Sequence, residues 1–132
     1  MNTFDWNESL RLGISRMDDD HRKIIDCMNE LGEVVEAGGK LAEIERSFTR
    51  LIDCTRRHFA DEERYMQSMN YDRLQPHQMI HRKLLDELEQ HFRSFMDSGQ
   101  VGDNVFRFLR FWLRSHICGI DKQYAQKVRA AA

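Results

Sequence analysis

One apolar stripe constrains this chain more than any other feature. Leu41, Ile44, Phe48, Leu51, Thr55, His58, Glu62, Tyr65 and Met69 follow one another at steps of three or four residues without a break. That step stacks side chains on one face of an α-helix. A helix of roughly 28 residues is about 42 Å long. It is stable in water only when such a face is covered by other helices.

The flanking segments supply that cover. Residues 1–17 read as a non-helical arm in which Phe4, Trp6, Leu10, Leu12, Ile14 and Met17 are too apolar for water, with Gly13 permitting a tight bend. Asp18, Asp19 and Asp20 read as the N-cap and acidic first turn of a first helix. Its inner face is His21, Ile24, Ile25, Met28, Leu31 and Val35, and Gly38-Gly39 ends it. The long second helix opens near Leu41, and residues 70–75 connect it to a third that carries Pro76 in its first turn. The third helix turns His77, Ile80, His81, Leu84, Leu88, Phe92 and Phe95 inward and closes at Ser98-Gly99. A fourth begins near Asp103 and carries Val105, Phe108, Leu109, Trp112, His116 and Ile117; Gly119 interrupts it before a short amphipathic piece, 120–128. No alternating strand pattern occurs. The expected fold is all-α: an antiparallel, up-down-up-down four-helix bundle with an N-terminal arm and a short C-terminal helix, one domain over residues 1–132.

Charge excludes some functions. Twenty basic residues against 22 acidic ones, a net charge of -2, give no basis for binding nucleic acid or an anionic membrane. Residues 105–113, the most apolar run, are broken by Arg107 and Arg110, so no membrane span is expected. The three cysteines, Cys27, Cys54 and Cys118, have no short spacing, which fits a reducing compartment, and no signal peptide is visible. The expected location is the cytoplasm.

Five of the six histidines fall on inward stripes: His21, His58, His77, His81 and His116. In an up-down-up-down bundle, the starts of helices one and three and the ends of helices two and four share one end. The five imidazoles therefore stand at similar depth. Glu62 lies one turn from His58 on the same stripe, and an inward carboxylate without a cation is costly. Asp121 is five residues past His116, about 140° away on a regular helix. For both to point inward the backbone must loosen, by a π-type turn or a break, and Gly119 stands there. Five nitrogens and two carboxylates exceed one four-coordinate zinc. They suit two first-row metals spanned by the acids, iron above manganese, zinc or cobalt. A ferritin-like site needs Glu-x-x-His, and no histidine here has Glu three residues before it. His91 reads as structural, Arg107, Arg110 and Arg114 as a solvated basic stripe, Cys118 as a small buried hydrophobe, and Met66, Met69 and Met79 as core.

Those motifs carry a resemblance over essentially the whole chain. Trp6 with Gly13-Ile14, Asp18-x-x-His21, His58-Phe59-x-x-Glu62-Glu63, His77-x-x-x-His81 and Trp112-Leu113-x-x-His116-Ile117-x-x-x-Asp121 together resemble the bacterial hemerythrins. The resemblance implies a non-haem di-iron site. His77, His81 and His116 would hold one iron, and His21 and His58 the other, which keeps one position open. Glu62, Asp121 and an oxo or hydroxo group would bridge the pair, and dioxygen would bind reversibly at the open position. Ile24, Phe59, Trp112, Leu113 and Ile117 match the family's apolar pocket lining. Asp19-Asp20 and Asp72 depart from its usual pattern in loops. The implied function is oxygen storage, delivery or buffering. An oxygen- or redox-sensing module on the same site is the alternative. An enzyme is not expected, since no pocket candidate offers a proton donor.

Overall fold

The structure is a computed structural model that describes residues 4–131, with side chains to Val128. Among the described residues it is helical and contains no strand. A short 3₁₀ turn, Glu8–Leu10, precedes α1 (Ser15–Glu36), α2 (Leu41–Ser68), α3 (Leu74–Ser98), α4 (Asp103–Ser115), a π-helical turn (His116–Asp121) and α5 (Lys122–Ala131).

Cross-helix contacts define the register. Asp20 meets His58 and Glu30 meets Arg50, so α1 and α2 are antiparallel. Glu63 meets His81 and Arg56 meets Glu89, which sets α3 against α2 in the same sense. His91 packs on Phe108 at 4.9 Å between ring centroids, and His81 on His116 at 5.0 Å, so α4 runs back along α3. The interior of Met28, Leu31, Phe48, Leu51 and Leu109 is fully buried. Each such side chain contributes roughly 1.5–3 kcal/mol relative to exposure. Thr55 survives in this stripe because its hydroxyl donates to the Leu51 carbonyl at 2.8 Å.

The arm folds as a cover, and its boundary differs from the sequence expectation. Helix α1 starts at Ser15, three residues before the acidic cluster. Asp18 is not the N-cap. It is buried inside the helix, and its carboxylate accepts the Leu12 and Gly13 N–H groups at 2.8 and 3.2 Å. An acid in the first turn can satisfy the backbone ahead of it as well as cap from outside, and the same residue type serves both. Gly13 takes φ 85°, a left-handed conformation that makes this bend cheap. Farther out, Asn29 pins the arm by accepting the Phe4 N–H at 2.8 Å and donating to its carbonyl at 2.9 Å. Phe4, Leu10, Leu12 and Met17 are buried, and the Arg22 guanidinium lies 4.2 Å over the Trp6 ring. Residues 1–3 of the expected arm lie outside the described residues.

Some peripheral expectations fail. Leu41 is 60% exposed and Met79 68% exposed. Leu41 begins α2, where the stripe outruns its partners and covers only the Gly99 turn. Met79 sits two residues from both His77 and His81, so it faces away from their stripe. Arg110 leaves the solvated face: its guanidinium is 5.9 Å from the Phe4 ring, with Nη1 buried. Cys118 is half-exposed and its thiol donates to the Ser9 carbonyl at 3.4 Å.

Candidate metal centre

The π turn is the local device that completes the site. Its extra residue per turn brings Asp121 round to the side of His116, and both are buried, at 0% and 4% exposure. The sequence expectation of loosened backbone there holds, and Gly119 lies inside the turn, although neither its φ nor its surroundings require a glycine. Gly119 lacks a positive φ, and a Cβ on it would meet nothing within 4 Å.

All seven ligand-type residues of the sequence reading converge. Potential donor atoms of Glu62, His77, His81, His116 and Asp121 lie within 4.8 Å of one another, and those of His21, His58, Glu62 and Asp121 form a second such group. Two ligands opposite each other on one ion at about 2.1 Å are about 4.2 Å apart, so each group has the dimensions of one coordination sphere. Both groups share the two carboxylates. Asp121 Oδ1 is 3.0 Å from His77 Nε2 and 3.0 Å from His116 Nε2, while Oδ2 is 3.2 Å from His21 Nε2. Glu62 Oε1 is 2.9 Å from His81 Nε2, and Oε2 is 3.5 Å from His58 Nε2. Each acid thus turns one oxygen to either group.

These contacts have the distances of hydrogen bonds but not all have the alignment. His58 Nε2, His77 Nε2, Glu62 Oε1 and both Asp121 oxygens are buried without a hydrogen-bond partner. Unpaired buried lone pairs aimed at a common point are what a cation satisfies, so the donor set fits a metal pair.

Outer partners orient the rings. Asp20 Oδ2 lies 3.1 Å from His58 Nδ1, and Glu63 Oε2 lies 2.8 Å from His81 Nδ1. Carboxylates only accept, so each Nδ1 carries the proton and each Nε2 faces the cluster. Tyr124 on α5 is wholly buried, and its hydroxyl donates to Glu62 Oε2 at 2.7 Å. Phe59 stacks on His81 with centroids 3.8 Å apart and planes 3° from parallel. Tyr124 and Asp20 were not among the sequence candidates, and Glu63 entered only as part of a motif. The legible signals were Tyr124 three residues past Asp121 and an acid beside each of His21 and Glu62.

Burial and charge oppose each other in the cluster. Burial works to neutralise Glu62, but the imidazoles of His58, His77 and His81 that face it hold it well below the ordinary carboxylate range. Burial and Glu62 push Asp121 upward, and His116 and His21 outweigh them. Burial also lowers the two affected histidines; Asp20 and Glu62 nonetheless lift His58 to about 10, and Asp121 and Glu62 lift His77 to about 9. Without metal, imidazolium protons therefore balance the two buried acids.

Beside the four-donor group lies a small cavity of about 10 Å³, close to the room of one water-sized sphere. Its walls are Ile24, Phe59, Trp112, Leu113 and Ile117, all five of the expected lining residues, with His21, His58 and His116 at its floor.

An all-helical bundle that gathers five imidazoles and two shared carboxylates into paired donor groups defines a class: an α-helical scaffold with a cation-compatible cluster at its core. Within that class the chain belongs to the hemerythrin family. The family profile described as the hemerythrin HHE cation binding domain matches residues 12–128. Oxygen binding is that family's function, and the His/Glu/Asp cluster is compatible with a di-iron site. The chain is similar to a bacteriohemerythrin of Stenotrophomonas maltophilia, 30% identical over 95% of this chain and 81% of the relative. A bacteriohemerythrin of Methylococcus capsulatus is 34% identical over 81% and 82% of the two chains. A myohemerythrin of Riftia pachyptila is 29% identical over 90% of this chain and 88% of its own length. The crystal structure of a hemerythrin mutant in which a leucine is replaced by tyrosine superposes with a TM-score of 0.86, 30% identity, and coverage of 96% and 97%. Among the described residues no helix is long and apolar enough to cross a membrane.

Proposed function

We propose that this chain binds two iron ions and takes up dioxygen reversibly at one of them, for storage, delivery or buffering. His77, His81 and His116 hold one ion, and His21 and His58 the other, with Glu62 and Asp121 spanning both. The observation that carries this reading is an asymmetry: one donor group has five residues, the other four, and the apolar cavity is lined by both imidazoles of the four-donor group and by only His116 of the five-donor group.

Iron, when bound, supplies the electrons and the affinity that apolar walls cannot offer a small neutral molecule. The chain's own residues do the rest. Asp20 and Glu63 fix two imidazoles in the tautomer that offers Nε2. Tyr124 donates to one oxygen of Glu62 and restrains its rotation. Ile24, Phe59, Trp112, Leu113 and Ile117 exclude water and protons from the open side. None of these five is a titratable acid, which supports a carrier above an enzyme.

The test is anaerobic loading with ferrous iron, followed by optical spectra on exposure to air and on evacuation. A charge-transfer band that appears with oxygen and bleaches under vacuum supports the proposal. A band that never reverses, or no band at all, contradicts it.

A further inference from the structure

Away from the metal centre, α1 and α2 bring two cysteines together. Two contacts set the local register: Asp20 with His58 at 3.1 Å, and Glu30 with Arg50 at 2.6 Å. Cys27 lies between Asp20 and Glu30 on α1, and Cys54 lies between Arg50 and His58 on α2. The antiparallel register therefore sets them opposite one another. Both thiols line one surface groove, and each perturbs the titration of the other. Both are free and half-exposed. Lys23, Arg46, Arg50 and Arg57 line the same groove together with Asp26, Glu30 and Asp53, and Arg50 is paired with Glu30.

We propose that Cys27 and Cys54 form a redox-active thiol pair that closes to a reversible intramolecular disulfide when hydrogen peroxide reaches the groove. The chemistry balances without a further reagent. The Cys54 thiolate attacks one peroxide oxygen and the O–O bond breaks; the departing hydroxide takes up the proton that the Cys54 thiol had released, so the products are a Cys54 sulfenic acid and water. The Cys27 thiolate then attacks that sulfur and displaces hydroxide, which leaves as a second water with the released proton. The sulfurs lose two electrons in total and the peroxide gains them.

The surroundings assign the order of attack. The neighbouring Cys27 thiol and the Arg57 charge favour the anion at Cys54 and bring it down to about 7, against the opposing effect of burial. Cys27 is pushed up, first by its neighbour Cys54 and then by burial. A partly buried thiolate that opens on the groove beside Arg57 is the reactive partner, and the neighbour resolves it. Cys54 precedes His58 by one helical turn, and Cys27 follows Ile24 by nearly one. The bond would thus fix α1 to α2 beside the four-donor end of the metal centre. Cys118 lies elsewhere, bonded to the arm. The inference stands apart from oxygen binding, because the thiol pair needs no metal.

The test treats the full-length protein, with and without iron, with hydrogen peroxide, then alkylates it and maps the peptides by mass. The expected product is a Cys27–Cys54 crosslinked peptide lighter by two hydrogens, formed in both samples and lost on treatment with dithiothreitol. Cys118 is alkylated as before. In Cys27→Ser, a dimedone adduct accumulates on Cys54; in Cys54→Ser, the adduct and the crosslink are both lost. Recovery of both cysteines as free thiols after peroxide would overturn the proposal. So would a link only between two chains, or oxidation confined to Cys118. The mapping of the unmodified chain needs no variant to fold.

Discussion

Removing one oxygen atom, in Tyr124→Phe, tests how the bundle supports its buried acids. The ring is fully buried and lies about 6 Å, centroid to centroid, from Tyr65, Tyr71 and His77, at 6.1, 6.1 and 5.9 Å. Phenylalanine keeps that packing. What goes is the 2.7 Å donation to Glu62 Oε2, whose nearest remaining neighbours are His58 Nε2 at 3.5 Å and His21 Nε2 at 3.9 Å. A hydrogen bond to a charged group is worth about 1.5–3 kcal/mol. The metal-free variant should therefore lose about 2 kcal/mol at pH 7. That is on the order of 1 M in urea midpoint and about 6–8 °C in Tm. Helical circular dichroism through a urea titration reads the midpoint. The sign with pH follows from Glu62, which is held below its ordinary range. Its contribution is present above the unfolded carboxylate value and lost as pH falls through the folded one, so acid should narrow the gap between wild type and variant. A midpoint equal to wild type, with a gap flat from neutral to acid pH, would refute the reasoning: the hydroxyl would then contribute nothing to the carboxylate.

Four further outcomes follow from the same geometry. His58 and His77 are raised to about 10 and about 9 from an ordinary 6.5. Their stabilisation of the metal-free protein should be whole below pH about 6.5 and lost as pH rises through 9–10, at about 1.4 kcal/mol per unit; thermal melts across that window check it. Metal needs the same nitrogens neutral, so loading should release protons in an unbuffered cell and tighten as pH rises. Asp20→Asn removes the carboxylate that holds the His58 proton at Nδ1, and metal affinity in a competition titration should fall about 10–100-fold. Gly119→Ala should stay within about 0.5 kcal/mol of wild type, because its backbone is not left-handed and the added methyl meets open space; a larger loss would restore a causal role for that glycine in the π turn.

The helices and the inward ligands were readable because periodicity of three and four is a local property of the chain. His58 and Glu62, or His77 and His81, share a face whatever packs against them. Asp121 was readable only through its misfit with His116, since a five-residue step has no place on a regular helix face. The supporting residues were harder to find. That Asp20 turns to His58, Glu63 to His81 and Tyr124 to Glu62 depends on which helices pair and in what register. No spacing within one helix encodes that. Asp18 shows the opposite difficulty: its composition signal was clear, but a first-turn acid serves a preceding loop as readily as it caps a helix end. Leu41 and Met79 followed general apolar expectation and ended in solvent, one at a helix end and one on the far face.

The central claim is that two groups of donors sharing Glu62 and Asp121 hold two metal ions. Iron content per chain, measured after reductive loading and desalting, tests it most directly, with Asp121→Asn alongside. The wild type should retain two irons per chain and the variant fewer. Retention of one iron or none by the wild type, or an unchanged pair in the variant, would contradict it.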